Sequence, residues 1–214
     1  MKNSQIQIIL SKLDGFLEPD PELEQYRTPA DVATRFINIV SLNEKEGEIA
    51  DLGSGTGVLS IAAGLKGFRV TGVEKDPDAV HVAENNLRKA EELSGKYIDI
   101  EFLQKDIEEF GGSFDAIIMN PPFGIQEKDR NLDFLKKGFE LADRVYALLH
   151  RSEEKTGETR QFLKEFAALH KFSAEVLRTF SFRLPRSMEF HEMEGKVIKT
   201  DMYYFERSKE EMIR

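Results

Sequence analysis

Glu48-Ile-Ala-Asp51-Leu-Gly-Ser-Gly-Thr-Gly57 decides the fold. Glu48–Asp51 reads as a short buried strand, and the three glycines let the chain turn sharply and approach a ligand without Cβ clashes. Val58–Leu65 then takes up helical spacing. A strand that enters a helix through a glycine-rich turn is the repeating unit of a parallel sheet with covered faces.

The same alternation continues on both sides of this stretch. Strands are predicted at Arg69–Val73, Asp99–Leu103, Phe114–Met119 and Val145–Leu149, and helices at Pro77–Leu93, Leu132–Ala142 and Arg160–His170. Two longer strands, Ser173–Phe182 and Lys196–Glu206, end the pattern with no helix between them, which predicts an antiparallel addition at one edge. Upstream, Ser4–Leu13 carries apolar residues at helical spacing. A second helix is expected from Pro29, with Thr28 as its N-cap. The expected fold is α/β and Rossmann-like, a mostly parallel seven-stranded sheet with an antiparallel edge strand and helices on both faces. No repeat or long linker divides the chain, so residues 1–214 are expected to form one domain with a helical leader over about 1–45.

Composition narrows the class. Hydrophobic residues make up 40% and charged residues 32%, which suits a globular protein. Cysteine is absent and the four histidines are scattered, so no intrinsic metal is expected. No apolar run has membrane length, and the first residues lack the layout of a secretory signal, so a cytoplasmic location is the simplest reading. The formal charge is −9, but residues 150–214 hold 13 Lys/Arg against 12 Asp/Glu. Lys171, Arg178, Arg183 and Arg186 face a single acid in their stretch, Glu175, so any RNA surface is expected in the C-terminal third.

Four motifs fall at predicted strand ends, where open sheets of this kind bind ligands. Gly53, Ser54, Gly55 and Gly57 follow Asp51 with Gly-x-Gly-x-Gly spacing. Dinucleotide sites use a related turn but space it Gly-x-Gly-x-x-Gly. An acid beside the turn suits the cationic sulfonium and amino acid moiety of S-adenosylmethionine (SAM). Glu74, followed by Lys75, ends the next strand, where a carboxylate can accept both hydroxyls of a ribose; the competing reading is a solvated turn acid. Asp106 is placed to accept the amino group of an adenine while Ile107 packs on the ring, with a helix cap as its alternative role.

The fourth motif is Ile117-Ile-Met-Asn120-Pro-Pro-Phe-Gly124. An exocyclic adenine amine is a poor nucleophile, because its lone pair is delocalised into the ring. Two acceptors aimed at its N–H bonds favour the tetrahedral geometry it needs to attack a methyl group. The side-chain oxygen of Asn120 and the carbonyl of Pro121 can serve; Pro121 and Pro122 fix the backbone without adding N–H donors. Phe123 offers a face on which a base can stack.

Together, Asp51–Gly57, Glu74, Asp106 and Asn120–Phe123 resemble class I SAM-dependent methyltransferases of the amino-methylating branch. The segments Leu23–Thr28, Gly57–Ser60, Met119–Gly124, Asp133–Leu135 and Leu184–His191 are similar to the archaeal and eukaryotic small-subunit rRNA adenine-N6 methyltransferases. This resemblance implies that Gln25, Tyr26 and Thr28 close the cofactor pocket, and that Gly53, Glu74 and Asp106 contact SAM. It further implies that Asn120 to Phe123 hold the adenine of an rRNA or ribosomal subunit. Arg183, Arg186, Phe190 and His191 become candidates for substrate contact. Eukaryotic members work with a small zinc-binding activator protein that covers an apolar strand edge, which makes such a protein a candidate partner. The alternative enzyme is a protein glutamine N5-methyltransferase of release-factor type, since an amide nitrogen is also planar and conjugated. Such enzymes usually show Asn-Pro-Pro-Tyr and an N-terminal helical domain, whereas this chain has Phe and a short leader. DNA adenine methylation would need a target-recognition domain for which the chain has no room. A non-catalytic SAM-binding scaffold would have no use for Asn120 and Phe123.

Overall fold

The strand before the glycine turn, β1 (Glu48–Leu52), lies mid-sheet and is buried from Ile49 onward. Its apolar run is continuous because both faces are covered. Parallel neighbours flank it: β2 (Arg69–Glu74) on one side and β4 (Ala116–Met119) on the other. β3 (Ile100–Gln104) extends the sheet beyond β2, and β5 (Arg144–His150) extends it beyond β4. The last two strands are β6 (Phe172–Arg183) and β7 (Val197–Arg207). β7 runs antiparallel between β5 and β6, giving the order β3-β2-β1-β4-β5-β7-β6. The computed structural model describes residues 1–19, 25–122, 130–151, 155–183 and 197–208.

Helices α1 (Asn3–Ser11), α2 (Ala30–Asn43), α3 (Val58–Lys66) and α4 (Pro77–Ser94) cover one face. Ile49, Ile118, Tyr146 and Leu148 project into that core. The alternate residues Ala50, Ile117, Val145 and Ala147 face α5 (Arg130–Leu141) and α6 (Thr156–Leu169) on the other side. The leader helix α1 belongs to the first core through Ile6, Ile9 and Leu10, all buried.

The helix expected from Pro29 forms, but its N-cap is Pro29 and no side chain caps it. Thr28 is drawn away to Asn120, so its cap role is replaced by a tertiary contact. Asp106, in contrast, does cap a 3₁₀ turn over Ile107–Glu109, its Oδ1 accepting from the Glu108 N–H at 3.0 Å. Strand order reverses between β1 and β4, so the ends of these two strands open a crevice at the switch point. The glycine turn and Asn120 both stand there.

Candidate active site

Above that crevice lies a cavity of about 260 Å³. Each wall comes from a different strand end. Near the end of β1 stands Asp51, with Gly53, Ser54 and Gly55 after it; at β2 come Glu74 and Lys75; after β3, Asp106 and Ile107; after β4, Asn120 and Pro122. Gln25, Tyr26 and Thr28 line it from the leader side. Residues predicted from separate motifs are thus brought to one place. Gly57 is a correction: it does not line the cavity. It starts α3 at φ 82°, and a Cβ there would meet the Phe102 ring at 2.7 Å, so its role is close packing. Pro121 is buried and also lies outside the lining.

The glycine turn is held from three directions. The Gly53 and Ser54 N–H groups both donate to the Val73 carbonyl at the end of β2, at 2.9 and 3.0 Å. Gly53 has φ 71° and Gly55 φ 51°, a region that side chains rarely adopt. The Phe134 and Phe16 rings pack where their Cβ atoms would stand, each at 2.9 Å. From below, Asn86 of α4, fully buried, donates from Nδ2 to the carbonyls of Thr56 and Asp14 at 2.9 and 3.0 Å. Its Oδ1 accepts from the Asp14 N–H at 2.7 Å. One amide therefore joins turn, helix and leader.

Two carboxylates define the electrostatics. Glu74 accepts the Gly55 N–H on Oε2 and the Asp76 N–H on Oε1, both at 3.0 Å. Each oxygen keeps a lone pair for a further donor. Burial raises its pKa, while these backbone bonds oppose the rise. Asp51 is 1% exposed; its Oδ2 accepts from Ser60 Oγ at 2.6 Å and its Oδ1 has no partner. Burial pushes its pKa up to about 7; the Ser60 bonds oppose the shift, and Glu74 adds to it. A buried carboxylate with an unmatched oxygen at a cavity wall fits a cationic ligand group.

The leader is latched over this cavity. Gln25 donates from Nε2 to Asp76 Oδ2 at 2.6 Å, and Asp76 also caps α4 through the Asp78 N–H. Asn120 meets the leader twice. Its Oδ1 accepts from the Tyr26 hydroxyl and its Nδ2 donates to Thr28 Oγ1, each at 2.8 Å.

The methyltransferase small domain profile matches residues 27–146, more than half of the chain. The chain belongs to the methyltransferase small domain family. Across 96% of its length this methyltransferase is 32% identical to the rRNA N(6)-adenosine-methyltransferase METTL5 of Danio rerio, covering 99% of that protein. A Pyrococcus horikoshii crystal structure, described as a candidate RNA methyltransferase, is 37% identical with a TM-score of 0.84; the match covers 98% of this chain and 99% of that one. A Methanocaldococcus jannaschii protein described as a candidate N5-glutamine methyltransferase is 28% identical over 75% of this chain and 82% of its own.

The cofactor of this methyltransferase is SAM. The orphaned Asp51 oxygen and the free lone pairs of Glu74 fit its cationic amino acid portion and its ribose hydroxyls. Asp106 caps its turn and also lines the cavity, so the cap does not remove it from the site.

Phe16, Lys105 and Phe134 are among the lining residues to which the sequence assigned no role. Phe134 lies in the Asp133–Leu135 segment that carried part of the family resemblance, which was its one available signal. Among the predicted substrate residues, Phe123, Arg186, Phe190 and His191 lie outside the described residues; Arg183 ends β6. Lys171 precedes β6 and Arg183 ends it, which separates them by roughly 35–40 Å along an extended strand. Arg183 is on the cavity side of the sheet and Lys171 on the opposite side.

Proposed function

We propose that this methyltransferase acts on N6 of an adenine in RNA, with small-subunit rRNA as the substrate. The observation that carries the reading is Asn120, which directly follows β4 and lines the cavity that also holds Asp51 and Glu74. A flat amine brought to this wall meets an acceptor fixed at a strand tip.

SAM, when bound, supplies an electrophilic methyl group. The chain's own task is to orient the nitrogen. Asn120 Oδ1 has two acceptor positions, one of them taken by Tyr26, and the other can accept an amine N–H. Preorganised polar groups of this kind contribute ~10²–10³ in rate. The amine proton leaves to water after transfer, so no side-chain base is required. Phe123, which follows Pro122, is the proposed stacking face, and such contacts contribute roughly 1–3 kcal/mol per base. The METTL5 relative supports RNA as the acceptor. The small zinc-binding activator remains a proposed partner, for which the family resemblance is the support.

Glutamine N5-methylation is the second reading, favoured by the Methanocaldococcus jannaschii relative. Incubating the chain with methyl-labelled SAM and either small ribosomal subunits or release factors separates the two. Label in 6-methyladenosine is expected; label confined to release factor overturns the RNA assignment. Asn120→Ala is expected to lower transfer by ~10²-fold or more while leaving SAM affinity within about threefold. A mutant that methylates at the wild-type rate removes the amine-orienting role.

A further inference from the structure

Asn120 can favour an attacking amine only while its oxygen, and not its NH₂ group, faces the acceptor. Rotation by 180° about its last side-chain torsion swaps the two, and torsions of this sp³–sp² kind have broad, two-fold wells. Strand β4 fixes the backbone of the residue but not that torsion. Both polar atoms of the amide are instead engaged by the leader: Tyr26 donates its hydroxyl to Oδ1, and Thr28 Oγ1 accepts from Nδ2, each at 2.8 Å.

We propose that Tyr26 and Thr28 are positioning residues for methyl transfer, which hold the Asn120 amide so that Oδ1 is presented to the acceptor nitrogen. This rests on the assignment of Asn120 to the acceptor amine. Tyr26 has a second effect on the same atom. By filling one acceptor position of Oδ1 with a hydroxyl donor, it leaves a single direction from which an amine N–H can approach. Thr28 is 6% exposed, so its hydroxyl is shielded from competing water.

The arrangement also joins the two halves of the reaction. Gln25, adjacent to Tyr26, is bonded to Asp76 two residues beyond the proposed ribose ligand Glu74. The leader thus ties the cofactor wall to the acceptor wall within four residues, Gln25 to Thr28.

The test uses the full chain with Tyr26→Phe, Thr28→Val and Thr28→Ser. The first two remove the hydroxyl that meets Asn120 with little change of shape, and the third restores it. Tyr26→Phe and Thr28→Val are expected to lower kcat at saturating SAM about tenfold each, with KM for the acceptor within about twofold of wild type. Thr28→Ser is expected to recover most of the rate. A kcat at saturating SAM that is unchanged in both variants overturns the positioning role. A second readout needs no acceptor. In ¹⁵N-labelled protein, the Asn120 side-chain amide pair is expected to shift and broaden in Tyr26→Phe. An unchanged pair shows that the hydroxyl does not hold the amide and overturns the proposal. If wild-type protein labels release factor instead of RNA, the substrate assignment fails, while the kcat ratios on release factor still decide the role of Tyr26 and Thr28.

Discussion

Burial disfavours the charged form of Asp51, and only a cation in the cavity restores it. The free protein therefore holds this carboxyl at a pKa of about 7, against 3.8 for an unperturbed aspartate. With Asp51 as the proposed partner of the SAM cation, binding is expected to draw on the ionised form, lower that pKa and release a proton near neutrality. SAM affinity is expected to weaken as pH falls below 7, approaching tenfold per unit, and to level off above about pH 8. Calorimetry in buffers of different ionisation enthalpy measures the released proton directly; equal heats in all buffers at pH 6.5 would remove the linkage. The sign for folding is opposite. A carboxyl whose pKa is raised on folding contributes stability that is present below the unfolded value and is lost as pH rises through about 7. Asp51→Asn keeps an acceptor for Ser60 and removes the buried charge. It should raise Tm of the free protein at pH 8 by roughly 3 °C or more, while binding SAM weakly and without pH dependence.

At the scale of elements, the site depends on connections that hold three segments of distant sequence together. Asn86 sits midway along α4, far from any motif, yet it bonds the glycine turn at Thr56 and the leader at Asp14. Replacing it with Ala leaves those backbone groups buried and unpaired and removes packed volume. A loss of about 2–4 kcal/mol in urea unfolding is expected, with an unchanged m-value, together with weaker SAM binding as the turn loosens. Full stability in Asn86→Ala would show that the leader is held by its apolar contacts alone. Asn86 also shows why part of the site was unreadable in advance. The turn at Asp51–Gly57 and the Asn120-Pro-Pro segment announce themselves because each concentrates its chemistry in a few consecutive residues. Asn86, Phe16 and Phe134 act through partners between about 30 and 80 positions away, and apart from the family-like Asp133–Leu135 segment around Phe134 nothing in their neighbours marks them. Thr28 was misread for the same reason: its local signal, a hydroxyl before Pro29, suits a cap, but a partner 92 residues distant captures it. The helices and strands were legible from periodicity. The insertion of β7 between β5 and β6 was not, since two adjacent terminal strands are compatible with either order at the sheet edge.

For the whole molecule, the balance between an acidic body and a small basic end governs how RNA can be held. The chain carries a formal charge of −9, so most of its surface repels a phosphate backbone. Strand direction decides where the exceptions collect. β5 and β6 both end on the cavity side, placing Arg151, Lys155 and Arg183 there, and β7 starts there with Lys199 close behind. The Arg151 N–H bonds the Lys199 carbonyl at 2.9 Å, which fixes two of these residues side by side. For the proposed RNA substrate these four chain positions are the candidate phosphate contacts, and each phosphate neutralised would release counterions. The affinity of the chain alone for single-stranded RNA should fall with salt at a log–log slope of about −3, a loss of roughly 50-fold between 50 and 200 mM. Arg183→Ala should reduce the slope by about 0.7 and weaken binding uniformly across RNA sequences, without altering SAM affinity. Fluorescence anisotropy over a salt series measures both quantities. A slope near zero would mean that phosphates are not held at the basic end at all. One steeper than about −6 would require more cations than these strand ends supply, and would place the main RNA surface elsewhere on the chain.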